Sequence, residues 1–237
     1  MSKRIVGIVG LILALAGGLS AGEPPVGGQG DIVLDLGVLE RQLAGITLAP
    51  YIVRAMRLID VPRKAGSNMF RHQMSTLAIL LDYKTTDPVL LKASVIHDLV
   101  EEAAGLPGVT RDAIEAIDAD GPAVYALVEE VSIRHVDGVR EPKAEFLMRL
   151  MTSGTERAKR LKLADRISNL ITLGFVNDLA FVERYLQETR AQLLPYAAAI
   201  NEDMHRELRD LISSREYWLR RWKGEPMAPP PPAGGQA

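Results

Sequence analysis

The sequence contains no cysteine and only four histidines, and these absences limit the chemistry available to the protein. Without cysteine the chain forms no disulfide and no thiolate metal site, and it has no thiol nucleophile. Any bound metal ion must therefore be held by nitrogen and oxygen ligands. The histidines are His72, His97, His135 and His205, and because they are so few, their positions are informative.

Neither sign of charge is in excess, since the formal net charge is -2 over 237 residues. The chain lacks the basic field that is typical of nucleic-acid-binding proteins, so we expect no nucleic-acid partner. Aromatic residues make up only 5% of the chain, but hydrophobic residues reach 47% and charged residues 24%. This composition is typical of a globular domain, and the length is sufficient for a hydrophobic core.

The N-terminal segment resembles a targeting sequence. Lys3 and Arg4 precede an uncharged, glycine-rich apolar run over residues 5–22. Residues 1–22 are therefore predicted to be a secretory signal peptide or a short membrane anchor, the alternative being a mis-assigned start codon. If the segment is genuine, the rest of the chain is exported or attached to the membrane on the periplasmic side; otherwise the protein is cytoplasmic.

Two further segments differ in composition from the central domain. Residues 23–30 are rich in proline and glycine and are predicted to be a linker. Residues 224–237 contain four consecutive prolines and are predicted to form a disordered tail, the alternative being a docking site for a polyproline-binding partner. Residues 31–223 remain as the single working domain.

Residues 31–223 show helical periodicity almost throughout. Apolar residues recur at spacings of three and four in several places: Met74, Leu77, Leu81; Val124, Leu127, Val128, Val131; Ala144, Leu147, Met148, Met151. Asp87 before Pro88 and Thr110 before Arg111 are typical N-caps, and Gly121-Pro122 marks another helix start. The predicted fold class is all-α, a single globule of about eight or more helices, with no alternating run that indicates a sheet.

One short motif contains several residues that could bind a metal ion or transfer a proton. His97, Asp98, Glu101 and Glu102 fall within one apolar segment, and on a helix His97 would share a face with Glu101, and Asp98 with Glu102. Burial of such groups is costly unless a metal ion or hydrogen bonds satisfy them. An imidazole and a carboxylate can bind a divalent cation, and a nearby glutamate can accept a proton from water.

Two other segments can supply further ligands. His72 stands at the start of an amphipathic helix, and Asp165 belongs to a polar stripe with Lys162, Arg166 and Asn169. Two histidines and two aspartates make a nitrogen and oxygen site that suits Mn²⁺, Fe²⁺ or Mg²⁺, and less typically Zn²⁺. A single His-Asp pair is weak evidence, but its combination with the upstream histidine and the downstream stripe predicts a metal site.

The order and separation of these residues resemble the H…HD…D pattern of the HD-domain phosphohydrolase superfamily. In particular, the segment from about residue 49 to 214 resembles the (p)ppGpp hydrolase domain of RelA/SpoT proteins and the small alarmone hydrolases. The matching motifs are Arg63-Lys64-Ala65-Gly66, His72, His97-Asp98, Glu101-Glu102 and residues 162–169.

The resemblance implies specific roles and an all-α HD-domain fold. It implies that one Mn²⁺, or another divalent cation, is bound by His72, His97, Asp98 and Asp165. It implies that Glu101 and Glu102 activate the water that attacks the 3′-pyrophosphate of (p)ppGpp, which gives GDP or GTP and pyrophosphate. It also implies that Arg63, Lys64 and Asn169 bind the nucleotide substrate.

The sequence departs from the family pattern at two positions. Glu102 stands where the family has aspartate, and Ala65 where it often has serine. These departures leave open a nucleotide-binding HD module without turnover. A second alternative within the enzymes is an HD-type phosphatase that acts on NADPH or another nucleotide. The oligomeric state is not determined by the sequence.

The remaining histidines and the tryptophans receive no catalytic assignment. His135 is expected in a loop, beside Arg134 and Arg140, and His205 on the polar side of the last helix. Trp218 and Trp222 are expected to pack that helix onto the domain.

Overall fold

The computed structural model describes residues 36–64 and 67–225. The predicted signal peptide or anchor, the linker and residues 226–237 of the tail lie outside the described residues. Among the described helices, none is long and apolar enough to cross a membrane.

The described part is built almost entirely of helices, which confirms the all-α prediction and the expected helix number. The α-helices are α1 (Leu36–Ala44), α2 (Ala49–Ala55), α3 (Met69–Asp82), α4 (Pro88–Ile96), α5 (Leu99–Glu102), α6 (Arg111–Glu115), α7 (Gly121–Val131), α8 (Lys143–Ser153), α9 (Glu156–Thr172), α10 (Leu179–Gln192), α11 (Leu194–Ile200) and α12 (Glu202–Trp222). Short 3-10 turns cover Met56–Leu58 and Leu173–Phe175.

Several helix starts follow the capping signals in the sequence. The Asp87 carboxylate accepts hydrogen bonds from the N–H groups of Val89 and Leu90, and Pro88 occupies the first turn of α4. Thr110 caps α6 in the same way, through the N–H of Ala113. These side chains satisfy the free N–H groups of a helix start, and the predicted boundaries are therefore observed.

Helices α3, α4 and α9 form the centre of the domain and contact one another. Residues 89–96 of α4 are all buried, because α2, α3, α7 and α9 surround that helix. In α7 the four predicted apolar positions are also buried. Three positions of the periodic pattern do not join the core, since Leu81 is 36% exposed, Met148 is 50% exposed, and Ala144 is exposed as well.

One small sheet occurs where the sequence indicated only a loop. Strands β1 (His135–Val136) and β2 (Val139–Arg140) pair antiparallel, with His135 opposite Arg140. The connecting residues Asp137 and Gly138 both have positive φ, which is the geometry of a two-residue type I′ turn. A strand of two residues is too short to produce an alternating pattern, so the prediction of a loop at His135 is corrected to a hairpin.

Candidate metal and nucleotide site

The three central helices bring the predicted metal ligands together. His72 lies on α3, Asp165 on α9, and His97 follows the last residue of α4. One ligand atom from each of these three buried residues lies within 4.8 Å of the others. Asp98 is adjacent, since its Oδ2 is 3.4 Å from Nε2 of His72 and 3.3 Å from Nε2 of His97.

The His-Asp motif does not lie inside one continuous helix, which corrects the expectation from its spacing. Helix α4 ends at Ile96, and α5 begins at Leu99. The imidazole Nδ1 of His97 bonds to the carbonyl of Ser94 at 2.8 Å. In an unbroken helix that carbonyl would accept the N–H of Asp98, so the side-chain bond replaces a backbone bond at the interruption.

The same hydrogen bond fixes the tautomer of His97. A carbonyl oxygen accepts only, so Nδ1 carries a proton, and in the neutral imidazole Nε2 carries the lone pair. That Nε2 is buried and has no hydrogen-bond partner among the described residues. A buried acceptor without a donor is costly unless a cation occupies its lone pair, and an imidazole oriented by a backbone carbonyl is typical of metal sites.

His72 and Asp98 are held by neighbouring polar groups. Nδ1 of His72 lies 2.9 Å from Oγ of Ser168, and Nε2 lies 3.1 Å from Oδ1 of Asp165. Nε2 of Gln73 donates to Oδ2 of Asp98 at 2.9 Å. These contacts fix the orientation of ligands that come from different helices.

The ionisable groups of the cluster shift one another's pKa values. Burial opposes ionisation of Asp165, but Lys162, whose Nζ lies 2.7 Å from Oδ2, and the two histidines outweigh it and hold the pKa of this carboxyl well below its usual range. Burial lowers the pKa of His72. Burial also opposes protonation of His97, but Asp98 and Asp165 outweigh it and raise its pKa.

The donor set therefore fits a divalent cation. It combines two imidazole nitrogens with carboxylate oxygens in a buried position. Such a set is compatible with several first-row divalent metals and with Mg²⁺, and the geometry alone does not choose among them.

The cluster opens into a cavity of about 380 Å³. Its lining includes both predicted catalytic acids, the predicted substrate-binding residues and three cationic side chains that were not predicted to bind substrate: Glu101, Glu102, Arg63, Lys64, Asn169, Lys143, Lys162, Arg166. A second cavity of about 890 Å³ is larger, but His72 and Asp165 do not line it, so we assign the site to the smaller cavity.

The two acids differ in their surroundings. Oε1 of Glu101 accepts the backbone N–H of Ile133 at 2.8 Å. No hydrogen bond from the described residues holds the Glu102 carboxylate. Desolvation raises the pKa of Glu102, and the charges of Asp98 and Glu101 raise it further.

Arg63 is connected to the metal cluster through Asn169. Nη2 of Arg63 donates to Oδ1 of Asn169 at 2.5 Å, and Nδ2 of Asn169 donates to Oδ1 of Asp165 at 2.6 Å. Burial lowers the pKa of Arg63, although Asp165 and Asp98 oppose this effect. Lys64 lies over the ring of Phe181, 5.0 Å from its centroid.

The loop that carries Arg63 and Lys64 is closed at its base. The N–H of Met69 donates to the carbonyl of Val61 at 2.9 Å, and Asn68 caps α3 through the N–H of Arg71. Ala65 lies outside the described residues, so its departure from the family pattern is not tested.

A group of residues on α8, α9 and α10 was missed from the sequence. Nζ of Lys143 and Nη2 of Arg166 lie 3.2 Å and 2.8 Å from the same oxygen, Oε1 of Glu188. The ring of Tyr185 contacts both cations, at 4.2 Å from the Arg166 guanidinium and 5.0 Å from Nζ of Lys143. Burial raises the pKa of Tyr185 and lowers that of Lys143.

No local pattern could have identified Lys143 or Tyr185, because each contributes one side chain from a different helix. Arg166 was visible only as a member of the polar stripe on α9. Only the tertiary structure shows that these side chains line the same cavity as the metal group.

The other histidines lie away from the metal group. His135 and the neighbouring Arg134 and Arg140 line the larger cavity, and His205 is half-buried on α12. Trp218 and Trp222 are 42% and 44% exposed, so they pack the last helix onto the domain only in part.

The sequence matches no protein-family model, and no curated protein sequence matches it. Its structure matches the solved structure described as a metazoan ortholog of SpoT that hydrolyses ppGpp and plays a role in starvation responses, with a TM-score of 0.61. The two chains are 21% identical, and the match covers 71% of this chain and 94% of the other. The chain therefore shares the all-α fold of this solved structure, which confirms the resemblance at the level of the fold.

Proposed function

We propose that this protein is a metal-dependent phosphohydrolase that removes the 3′-pyrophosphate of (p)ppGpp, giving GDP or GTP and pyrophosphate. One observation carries the proposal: the buried His/His/Asp group, with the unpartnered Nε2 of His97, lines the same cavity as two glutamates and several cations.

The cluster supports a metal-dependent reaction. His72, His97, Asp98 and Asp165 would hold a divalent cation, for which Mn²⁺ is our proposal. When bound, such an ion neutralises negative charge on a phosphate and lowers the pKa of water. Gln73 and Ser168 keep the ligands in place before the ion binds, so little reorganisation is required.

Glu102 is proposed to accept the proton from the attacking water. Its carboxylate lines the cavity without a protein hydrogen-bond donor among the described residues, and its pKa is raised. A general base is most effective when its pKa is near the operating pH, so this shift acts in the required direction. Glu101 is proposed to support Glu102 and to position the segment that begins at Ile133.

The cations of the cavity support an anionic substrate with phosphates at two positions. Lys162 is paired with Asp165 next to the metal group. Lys143 and Arg166 share the single carboxylate of Glu188, so that group keeps a net positive charge. A second phosphate group can bind there by charge-assisted hydrogen bonds, away from the phosphate at the metal group.

The nucleoside is proposed to bind near Arg63, Lys64 and Asn169. Arg63 and Lys64 have no ion-pair partner among the described residues, and a guanidinium can stack on a base. The ppGpp hydrolysis described for the metazoan SpoT ortholog supports this choice of substrate.

A panel of nucleotides tests the proposal. We expect the purified protein with Mn²⁺ to hydrolyse ppGpp faster than NADPH or GTP, and to release pyrophosphate from it. His97→Ala should lose both Mn²⁺ and activity, whereas His205→Ala, a matched change outside the site, should retain both. Orthophosphate release from NADPH as the fastest reaction would instead identify the protein as an HD-type phosphatase. Stoichiometric Mn²⁺ without turnover of any nucleotide would indicate a binding module.

A further inference from the structure

An apolar groove lies between the last helix and the 3-10 turn after α9. It has a volume of about 290 Å³ and is lined by Ile171, Gly174, Phe175, Arg215, Trp218 and Trp222. None of these residues lines the cavity of the metal group. We call this surface the aromatic groove.

The aromatic groove leaves large apolar side chains uncovered. Phe175 is 75% exposed, and the two tryptophans, which are the only ones in the sequence, are each more than two-fifths exposed. Single exposed apolar residues are ordinary, but several around one concave surface are typical of an interaction site.

The floor of the groove is fixed by Arg215. Its Nε donates to the carbonyl of Leu170 at 2.8 Å, and its Nη2 donates to the carbonyl of Ile171 at 2.7 Å. These two hydrogen bonds hold the Arg215 guanidinium against the C-terminal end of α9. Gly174 lies beside this side chain, and a Cβ there would be in ordinary van der Waals contact with the Arg215 guanidinium at 3.5 Å.

The aromatic groove presents hydrogen-bond donors in addition to its aromatic rings. The centroids of Trp218 and Trp222 are 6.5 Å apart, one helical turn along α12. Neither indole N–H has an acceptor among the described residues. An indole N–H is a donor only, so both remain able to bond to carbonyl groups of an incoming segment.

The chain itself supplies a segment of matching chemistry close by. Helix α12 ends at Trp222; two residues later Gly224 has φ +71, and the N–H of Glu225 donates to the carbonyl of Arg220. Glu225 is only three residues beyond Trp222, and it is followed by the sequence PMAPPPPAGGQA, which has no charged side chain. Four residues can span roughly 14 Å, whereas one turn of α12 rises about 5.4 Å, so residues 229–232 can reach the groove.

We propose that residues 226–232 of this chain dock in the aromatic groove. A proline tract adopts the polyproline II conformation, in which the carbonyls point outward and few N–H groups need partners. Aromatic grooves with indole donors bind such segments in other proteins. The short tether keeps the segment near the groove, so little loop-closure entropy opposes docking.

Tryptophan fluorescence of the full chain tests this proposal, because both tryptophans line the groove. We compare the full chain with a chain that ends at Glu225, and with a full-length variant in which prolines 229–232 are replaced by serine. Phe175→Ala is the groove variant, and Val53→Ala, which changes an exposed apolar residue on α2, is its matched control. Circular dichroism checks that each variant is folded.

We expect the full chain and Val53→Ala to show blue-shifted emission and weak quenching by acrylamide. The truncated chain, the serine variant and Phe175→Ala should show red-shifted emission and stronger quenching. A synthetic peptide of residues 226–237 should reverse the shift of the truncated chain at a concentration on the order of 1 mM, which matches the effective concentration of a short tether. Identical emission from the full, truncated and serine-substituted chains would overturn the proposal. A blue shift that depends on protein concentration and accompanies dimer formation would also overturn it, because a second copy would then cover the groove.

Discussion

Oε1 of Glu101 accepts the backbone N–H of Ile133 at 2.8 Å, so this acid holds the segment that precedes the β-hairpin. Glu102, the next residue, has no such bond among the described residues, and its pKa is raised. Two adjacent acids of the same type therefore have different surroundings, and only Glu102 is free to exchange a proton without losing a structural contact.

Replacement of each acid by glutamine should separate these roles. In Glu102→Gln the proton acceptor is lost, so kcat should fall by about 10²–10⁴-fold while the protein still binds Mn²⁺. In Glu101→Gln the amide oxygen can still accept the N–H of Ile133, and the loss should be smaller. Steady-state kinetics on ppGpp, with bound metal measured by elemental analysis, checks both variants. A larger loss in Glu101→Gln than in Glu102→Gln would show that the roles are reversed.

The pH dependence of the reaction should report the raised pKa of Glu102. Desolvation raises this pKa, with contributions from Asp98 and Glu101, so activity should fall as pH decreases through a value above that of an ordinary glutamate. Removal of one neighbouring charge in Glu101→Gln should lower the pKa of Glu102. The acid limb of log kcat against pH should then move to lower pH. An unchanged limb in this variant would mean that another group controls it.

Lys143 should contribute to substrate binding more than to the chemical step. Its Nζ shares Glu188 with Arg166 and lines the cavity of the metal group. Lys143→Gln removes a charge-assisted bond to the proposed second phosphate, so KM for ppGpp should rise roughly tenfold with a small change in kcat. Lys223→Gln, which breaks an ion pair with Glu183 elsewhere on the surface, is the control. If both variants show the same KM, Lys143 does not contact the substrate.

The hairpin next to the site should be stabilised by an ion pair that acid removes. Arg149 donates two hydrogen bonds to the Glu141 carboxylate, and these bonds lower the pKa of Glu141 to about 2. Because the folded-state pKa is depressed, the stabilisation is complete above the ordinary value of 4.5 and is lost as pH falls toward 2. Arg149→Met should lower the free energy of unfolding by roughly 1–2 kcal/mol at neutral pH.

Urea denaturation at several pH values measures this effect. The difference between the wild type and Arg149→Met should shrink as pH decreases through that window. Arg157→Met, whose ion pair with Asp87 is more exposed, should cost less than about 0.5 kcal/mol. A difference between wild type and Arg149→Met that does not change with pH would exclude the Glu141 carboxylate as its source.

The sequence predicted those features of the fold and site that depend on local rules. Capping residues such as Asp87 and Thr110 determine helix starts through bonds to the next few N–H groups, so their effect can be predicted from spacing. His97 was identified because a polar group inside an apolar segment needs a partner. His72 and Asp165 were proposed as further ligands from the segments that carry them and from the resemblance to the H…HD…D pattern. Their proximity in space then follows from the packing of α3, α4 and α9.

Other features depend on contacts that spacing does not contain. The interruption at His97 arises from a side-chain bond to the Ser94 carbonyl, which competes with the regular helix. The position of the Lys143 side chain in the cavity wall depends on its ion pair with Glu188, which lies on another helix. Export or membrane attachment through residues 5–22, and cleavage within residues 1–22, stay predictions, because these residues lie outside the described part of the chain.

The most direct test follows the reaction of ppGpp by anion-exchange chromatography, which separates GDP, pyrophosphate and orthophosphate, with protein stripped of metal and with the same protein after addition of Mn²⁺. We expect no reaction without metal, and one pyrophosphate and one GDP for each ppGpp after Mn²⁺ is added. Metal-independent hydrolysis, or release of orthophosphate instead of pyrophosphate, would contradict it.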